Sequence, residues 1–226
     1  MKKQIAGYPY IKLETETFTE NQMKERSAFF FEYMNKRRSI REFSDKIISD
    51  SVLENIIRTA STAPSGANKQ PWTFCVVRNP ITKKMIREAA EQEEKRSYNE
   101  RMSDEWLADL APLGTDWQKP FLDIAPVLII VFKRIYEMED DGHKHQNYYP
   151  QESTGLACGF LLAAIHNAGL AALTHTPSPM NFLCKILNRP ENERPFLLIP
   201  VGYPSEECYV PDIQRKSLDE VSVWYN

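Results

Sequence analysis

No pair of cysteines in this chain is spaced for a metal or a redox centre. Cys75, Cys158, Cys184 and Cys208 lie far apart, with no C-x-x-C and no zinc pattern, which excludes a zinc module and a dithiol oxidoreductase. They read as buried, reduced thiols of a cytoplasmic protein. A basic surplus is also missing. Lys and Arg total 28 against 31 Asp and Glu, for a net charge of -3, so nothing draws the whole molecule to nucleic acid. No apolar run is long enough to span a bilayer, since the longest, residues 157–173, is broken by His166 and Asn167. Met1-Lys2-Lys3 is followed by no apolar stretch, so no signal peptide is expected. Internal repeats, low-complexity tracts and linkers are lacking too. The expectation is therefore a single domain over residues 1–226, without metal and without membrane contact.

What is present is organised around residues 37–72. Arg37, Arg38 and Arg41 are clustered around Ser39, and a breaker-rich loop, Ala63-Pro64-Ser65-Gly66-Ala67-Asn68, closes the stretch before Pro71-Trp72. Clustered guanidiniums suit a phosphate. They suit equally a solvated helix end favoured by the macrodipole, and residue type alone leaves the two readings level. The Ser-Gly-Ala loop would let backbone approach a flat ring closely, although Ser65-Gly66 by itself is only a turn.

Along the chain, residues 1–18 read as an extended arm that wraps a partner subunit. Thr19-x-x-Gln22 resembles a capping box, with Phe29, Phe30, Tyr33 and Met34 at helical spacing behind it. Ser51-x-x-Glu54 is a second candidate box, and Val52, Leu53, Ile56, Ile57 and Ala60 form one apolar face. Trp72–Val77 and residues 125–132 read as strands, the second buried because its apolar run is continuous. A charged helix is expected from about Thr82 to Arg96, and a polar insertion from Tyr98 to Lys119, within about 90–122, has the length of a lid. Trp106, Leu110, Leu113 and Trp117 are its apolar anchors. Residues 137–147 read as a surface loop and Ser153–Ala168 as a helix apolar nearly all round, hence deeply buried, with Gly169 as its cap. A short strand at residues 170–174, a short helix at 182–187 and a strand at 196–202 follow, then a tail from Val210 that pairs with another subunit. Helices before and between strands, without βαβ regularity, predict an α+β fold.

RRSIR followed by TAPSGANKQPW resembles the nitroreductase-like flavoprotein superfamily, and within it the iodotyrosine deiodinase family, from about Met34 to about Val221. The resemblance is to a soluble, bacterial-type member, without the N-terminal anchor of the animal proteins. It implies a central mixed sheet flanked by helices, an intertwined homodimer with extended terminal arms, and FMN at the subunit interface. By that resemblance Arg37, Arg38, Ser39 and Arg41 hold the FMN phosphate and ribityl chain. Ser65 and Gly66 touch the flavin across the subunit boundary, and Arg215 is the C-terminal FMN-binding arginine. Thr174, His175 and Thr176 form a second flavin loop. Thr176 is the catalytic candidate, whose hydroxyl can donate to flavin N5 or accept from it, favouring one-electron steps. His175 contributes backbone only. The Ala67 N–H matches the donor to a substrate phenolate.

Glu94, Tyr98 and Lys119 are routine surface residues when read singly. Glu94 and Tyr98 are four apart and share a face if the helix continues. Matched to the resembled family they form a lid that receives an amino-acid zwitterion, an acid for the ammonium and a lysine and tyrosine for the carboxylate. The function implied is FMN-dependent reductive dehalogenation of halotyrosines, iodotyrosine to tyrosine plus iodide, with electrons ultimately from NAD(P)H. A broad FMN nitroreductase or quinone reductase on the same fold is the first alternative. A non-catalytic FMN- or amino-acid-binding protein is the second, and flavin fragmentation the third.

Overall fold

The computed structural model describes residues 2–225, in two compact units that divide between Arg37 and Arg38. In the first unit, β1 (Lys2–Ile5) pairs antiparallel with β2 (Tyr8–Ile11). The turn residues Ala6 and Gly7 both have positive φ, 50° and 84°, the combination that lets a two-residue turn follow strand twist. The arm read as plainly extended thus begins as a hairpin, with an Ala-Gly turn as its only signal. Helix α1 (Glu20–Asn35) starts at Thr19, whose capping box with Gln22 forms as expected. Phe29, Phe30 and Phe31 on α1 are 69%, 60% and 66% exposed.

The second unit runs through α2 (Asp50–Ser61), β3 (Trp72–Val77), α3 (Pro80–Arg96), α4 (Asp104–Leu110), α5 (Phe121–Ile124) and β4 (Val127–Arg134). It continues through β5 (Tyr136–Met138), β6 (Lys144–Gln146), α6 (Pro150–Asn167), β7 (Ala171–Ala172), α7 (Asn181–Ile186), β8 (Glu193–Gly202) and α8 (Leu218–Val221). The sheet order is β3-β4-β8-β7, with every named pair antiparallel. A parallel bridge between Ser39 and Ala172 at the β7 edge makes the sheet mixed.

Strand β4 explains the layering. Leu128, Ile130 and Phe132 pack on Ile86 and Ala90 of α3, Phe121 and Leu122 of α5 and Leu183 of α7. Val127, Ile129 and Val131 point the other way, against Leu53, Ile56 and Ala60 of α2 and Cys158, Leu161 and Ile165 of α6. Successive strand residues face opposite sides, so a strand sandwiched by helices on both sides shows no polar alternation. Each such side chain contributes roughly 1.5–3 kcal/mol on burial.

Several boundaries move for identifiable reasons. Helix α2 starts at Asp50 behind Ser49, whose extended φ and ψ of -67° and 151° make it the cap position. Ser51 therefore sits inside the helix and no Ser51-Glu54 box exists. Helix α3 begins at Pro80, because the Asn79 Oδ1 accepts from the Ile81 and Thr82 N–H groups at 2.9 and 3.1 Å and proline suits the first helical position. Strand β8 begins at Glu193. Its buried carboxylate accepts two Arg189 bonds of 2.6 and 2.9 Å and the Thr73 hydroxyl at 2.6 Å, a compensation that a charged sequence does not advertise. Residues 137–147 contain the β5–β6 hairpin instead of a plain loop. Helix α6 is buried along Ser153, Thr154, Ala157, Cys158, Leu161 and Ile165 but leaves Leu156 and Phe160 exposed, so it is not enclosed all round in this chain. Gly169, at φ 74°, caps it as expected. Among the described residues no helix is long and apolar enough to cross a membrane.

Candidate active site

The RRSIR stretch reaches the sheet through its backbone. Ser39 bridges Ala172 and the Ile40 N–H donates to the Ala172 carbonyl at 3.4 Å. Ile40 is buried, so the alternation of an extended chain directs Ser39 and Arg41 away from the core. Arg38 donates to the Pro211 carbonyl, and the Tyr209 N–H donates to Glu42 Oε2 at 2.6 Å. These bonds lay the chain at Tyr209 and Pro211, upstream of Arg215, beside the arginine motif. Arg41 makes no hydrogen bond or ion pair with a described residue. Burial lowers its pKa below the usual guanidinium value, partly opposed by the nearby Tyr98.

Arg41 lines a cavity of about 220 Å³ with Glu94, Tyr98 and Lys119. Helix α3 stops at Arg96 and a wide, π-type turn carries the chain through Ser97–Arg101. Glu94 and Tyr98 therefore do not share a continuous α-helix, yet both reach the cavity. The Lys119 ammonium stands 3.4 Å from Glu94 Oε2, with the two side chains 4% and 11% exposed. It lies 5.5 Å from the centre of the Tyr98 ring. It also donates to Thr115 Oγ1 at 3.2 Å and to the Asp116 carbonyl, while the Tyr98 hydroxyl donates to the Thr115 carbonyl at 3.2 Å.

Burial dominates the titration of all three groups. It raises the Glu94 carboxyl above the usual range against the opposing pull of Lys119. It lowers the Lys119 ammonium despite Glu94, and it raises the Tyr98 phenol. For Glu94 and Lys119 alike, desolvation outweighs the mutual attraction. This is the expected balance for a buried pair with imperfect geometry.

Residues 174–176 also line the cavity. The His175 N–H donates to the Leu198 carbonyl at 2.9 Å and the Leu198 N–H returns a bond of 3.0 Å, which extends the pairing of β8 beyond β7. Thr174 and Thr176 are exposed and His175 between them is buried, so the threonines share one side and the imidazole takes the other. The imidazole meets Phe121 edge-on at 5.7 Å. Its Nε2 has no hydrogen-bond partner among the described residues. Burial, helped by Lys119 and Arg41, pushes its pKa down to about 3, so it is neutral at physiological pH.

Ser65, Gly66 and Ala67 lie outside this cavity, on a short 3₁₀ turn between α2 and β3. The Gly66 N–H donates to Ser153 Oγ at 3.4 Å and the Gln70 N–H to Ser65 Oγ at 2.9 Å. A Cβ at Gly66 would stand 2.9 Å from the Tyr148 carbonyl oxygen. The chain's own packing therefore demands this glycine, a reason additional to close approach of a ring. Ala67 is left-handed at φ 48° and ψ 31°, a conformation costing a non-glycine residue on the order of 1–3 kcal/mol and concentrated at functional sites. As an early residue of a helical turn, it carries one of the N–H groups that a helix start leaves without an intrahelical partner.

The structure thus gathers Arg41, Glu94, Tyr98, Lys119, Thr174, His175 and Thr176. It ties Ser39 to the adjoining sheet edge and Arg38 to Pro211, and leaves the Ser65–Ala67 turn outside the cavity. Arg37 closes the first unit. Sequence reading missed Met102, Thr115, Phe121 and Leu173 as cavity lining, and used Trp106 and Leu110 only as anchors. The spacing of Trp106 and Leu110, four apart on α4, was the available signal.

Comparison with known proteins follows the same pattern. The Nitroreductase family matches residues 34–203. Iodotyrosine deiodinase of Haliscomenobacter hydrossis is 61% identical over 225 residues, covering 100% of both chains. Iodotyrosine deiodinase 1 of Homo sapiens is 46% identical over 207 residues, which is 91% of this chain and 72% of the human protein. A crystal structure of oxidized iodotyrosine deiodinase bound to FMN and 3-iodo-L-tyrosine superposes with a TM-score of 0.74 at 32% identity, covering 87% of this chain and 98% of that one. A nitroreductase-like protein from Streptococcus mutans, at 17% identity and a TM-score of 0.66 over 89% of this chain and 100% of its own, shares the fold. By the family match over residues 34–203 and the full-length likeness to a curated deiodinase, the chain belongs to the nitroreductase family, on the branch that holds the iodotyrosine deiodinases.

Proposed function

We propose that this chain is an FMN-dependent reductive dehalogenase of halogenated tyrosines, converting iodotyrosine to tyrosine and iodide with electrons ultimately from NAD(P)H. The carrying observation is the near-buried Glu94–Lys119 pair, 3.4 Å apart, inside the cavity. Two opposite charges held in one cavity match the two charges of an amino-acid backbone. A nitroarene or quinone offers neither. Both groups are shifted toward their neutral forms, so their pairing is weakly held. A zwitterion replaces it with two pairs, ammonium to Glu94 and carboxylate to Lys119 with the Tyr98 hydroxyl.

The donor set fits FMN. Arg41 is a half-buried guanidinium with no ion pair among the described residues, and the exposed Thr174 and Thr176 line the same cavity. Arg38, Ser39, Arg41 and Arg215 would hold the phosphate and ribityl chain, with Arg37 assigned on the motif alone. Thr174, His175 and Thr176 would line the ring, with the Thr176 hydroxyl at N5 and the His175 backbone in support. FMN supplies the two electrons that, with a proton, exchange carbon–halogen for carbon–hydrogen. The lid residues orient the amino-acid end and exclude water.

Ser65, Gly66 and Ala67 serve this chemistry only if a second copy delivers them. We therefore propose a homodimer in which that turn completes the neighbouring site and the Ala67 N–H receives the phenolate. Exposed Leu156 and Phe160 on α6, the aromatic run of α1, and Val223 and Trp224 of the tail are apolar surface of the kind partners cover. The whole described chain serves as one FMN-binding unit with residues of about 90–122 as its lid, and the four unpaired cysteines suit the cytoplasm.

The test is anaerobic reduction of the purified protein, then addition of 3-iodotyrosine with iodide measured. Stoichiometric iodide release is expected. Release no faster than from free reduced FMN, with brisk nitroarene reduction, would return the chain to the general reductases.

A further inference from the structure

Lys119 is held by α3 at two points. Its ammonium faces Glu94, and its backbone N–H donates to Glu91 Oε1 at 2.7 Å. The same oxygen accepts from Arg87 Nε at 2.8 Å, and Arg87 Nη1 reaches Asp123 Oδ2 at 2.7 Å. Asp123 in turn offers its carbonyl to the buried Lys83 ammonium at 2.7 Å. Glu91 is only 17% exposed. A chain of bonds therefore runs along α3, through Lys83, Arg87 and Glu91, and grips the segment where the lid rejoins the core. Glu91 and Glu94 are three apart on one helix, hence neighbours on its surface. One fixes where the Lys119 backbone lies and the other faces its charge.

We infer that Glu91 is a positioning residue for substrate selection: its bond to the Lys119 N–H sets the separation between the Glu94 carboxylate and the Lys119 ammonium, and so matches the pocket to an α-amino acid. This rests on the zwitterion-receiving role proposed above. Its physical content is separate. Lys119 lies at the end of a long lid, and a lysine on a loose segment would present its charge over a spread of positions. Substrate would then bear the cost of ordering it. The Arg87 pairing holds the Glu91 carboxylate in its acceptor position, and a charge-assisted bond is stronger than a neutral one.

The test compares the full-length holoprotein with Glu91→Ala and Glu91→Gln. For Glu91→Ala, KM for 3-iodotyrosine should rise about tenfold, the loss of one charge-assisted hydrogen bond. The kcat at saturation should stay within about twofold, and kcat/KM for 2-iodophenol should be unchanged. Amide exchange of the peptide spanning Lys119 should accelerate. Glu91→Gln, whose amide oxygen still accepts the N–H, should recover most of both effects. Equal losses on iodotyrosine and iodophenol would mean a merely structural role and overturn the inference, as would an unchanged KM, unchanged exchange, or a Gln variant as impaired as Ala. If unmodified protein does not prefer iodotyrosine to iodophenol, the zwitterion reading fails and this inference with it. If it does and Glu91→Ala keeps that preference, only the inference fails.

Discussion

Replacing Glu94 by Gln should invert the ligand preference of the pocket, not simply weaken it. Glu94 and Lys119 sit 3.4 Å apart and nearly out of water, so each partly satisfies the other. For iodotyrosine, Glu94→Gln removes the receiver of the ammonium. The loss of a charge-assisted bond is on the order of 1.5–3 kcal/mol, or about 10- to 150-fold in Kd. For a ligand carrying carboxylate but no ammonium, such as 3-(4-hydroxy-3-iodophenyl)propanoate, the sign reverses. In unmodified protein that ligand must draw Lys119 away from Glu94 and leave a buried carboxylate unpaired, whereas in Glu94→Gln the ammonium is already without its counter-charge. Lys119 keeps its bonds to Thr115 and Asp116, which holds it in place. Flavin fluorescence titration of both ligands, with 2-iodophenol as the uncharged reference, measures all three constants. Iodotyrosine should weaken, the propanoate tighten and iodophenol hold steady. Weakening of all three by one factor would refute the exchange argument and reduce Glu94 to a residue that shapes the lid.

Other consequences can be measured separately. His175 has a folded pKa of about 3 against its ordinary 6.5, so below pH 6.5 the unfolded chain binds a proton that the folded chain refuses. The stability it protects is present above pH 6.5 and drains away toward pH 3, by about 1.4 kcal/mol per pH unit. Urea midpoints at pH 7 and 4.5 should therefore fall less for His175→Asn than for unmodified protein, and parallel slopes would show that the imidazole is not excluded from protonation. Gly66→Ala sets a Cβ 2.9 Å from the Tyr148 carbonyl oxygen and should cost about 1–3 kcal/mol, seen as a lower thermal midpoint even without FMN. An unchanged apo midpoint with weaker FMN binding would make flavin approach the sole reason for this glycine. Thr176→Ala removes an exposed hydroxyl, so fold and FMN content should persist while iodotyrosine turnover drops at least about tenfold, the scale of one lost hydrogen bond. Undiminished turnover would remove Thr176 from the chemistry.

What could be read from residue order alone was whatever local physics decides. The Thr19 box, the apolar face of α2 and the Gly169 cap are short-range patterns that form as read, and the buried apolar run read at 125–132 forms as β4 two residues later, over Val127–Arg134. Errors fell where a distant partner overrode a local signal. Glu193 starts a strand only because Arg189 and Thr73 neutralise and bind its carboxylate. Helix α6 looked enclosed because its small apolar residues surround it, yet Leu156 and Phe160 face outward. The arginine and Pro-Ser-Gly motifs were visible as motifs because their residue types are unusual together. Glu91 was invisible inside a Glu-rich run.

By itself, then, the sequence determined which side chains are available for a phosphate, a flat ring and a zwitterion, since residue chemistry and short spacing need no fold. Tertiary structure alone decided which of them meet. It brought Lys119 back to Glu94 across the 24 intervening residues, set Arg41 in one cavity with residues 174–176 by pairing Ser39 with Ala172, and left Ser65–Ala67 outside that cavity. The physical reason is that burial and hydrogen-bond pairing act between positions far apart in the chain, where neither periodicity nor composition carries information.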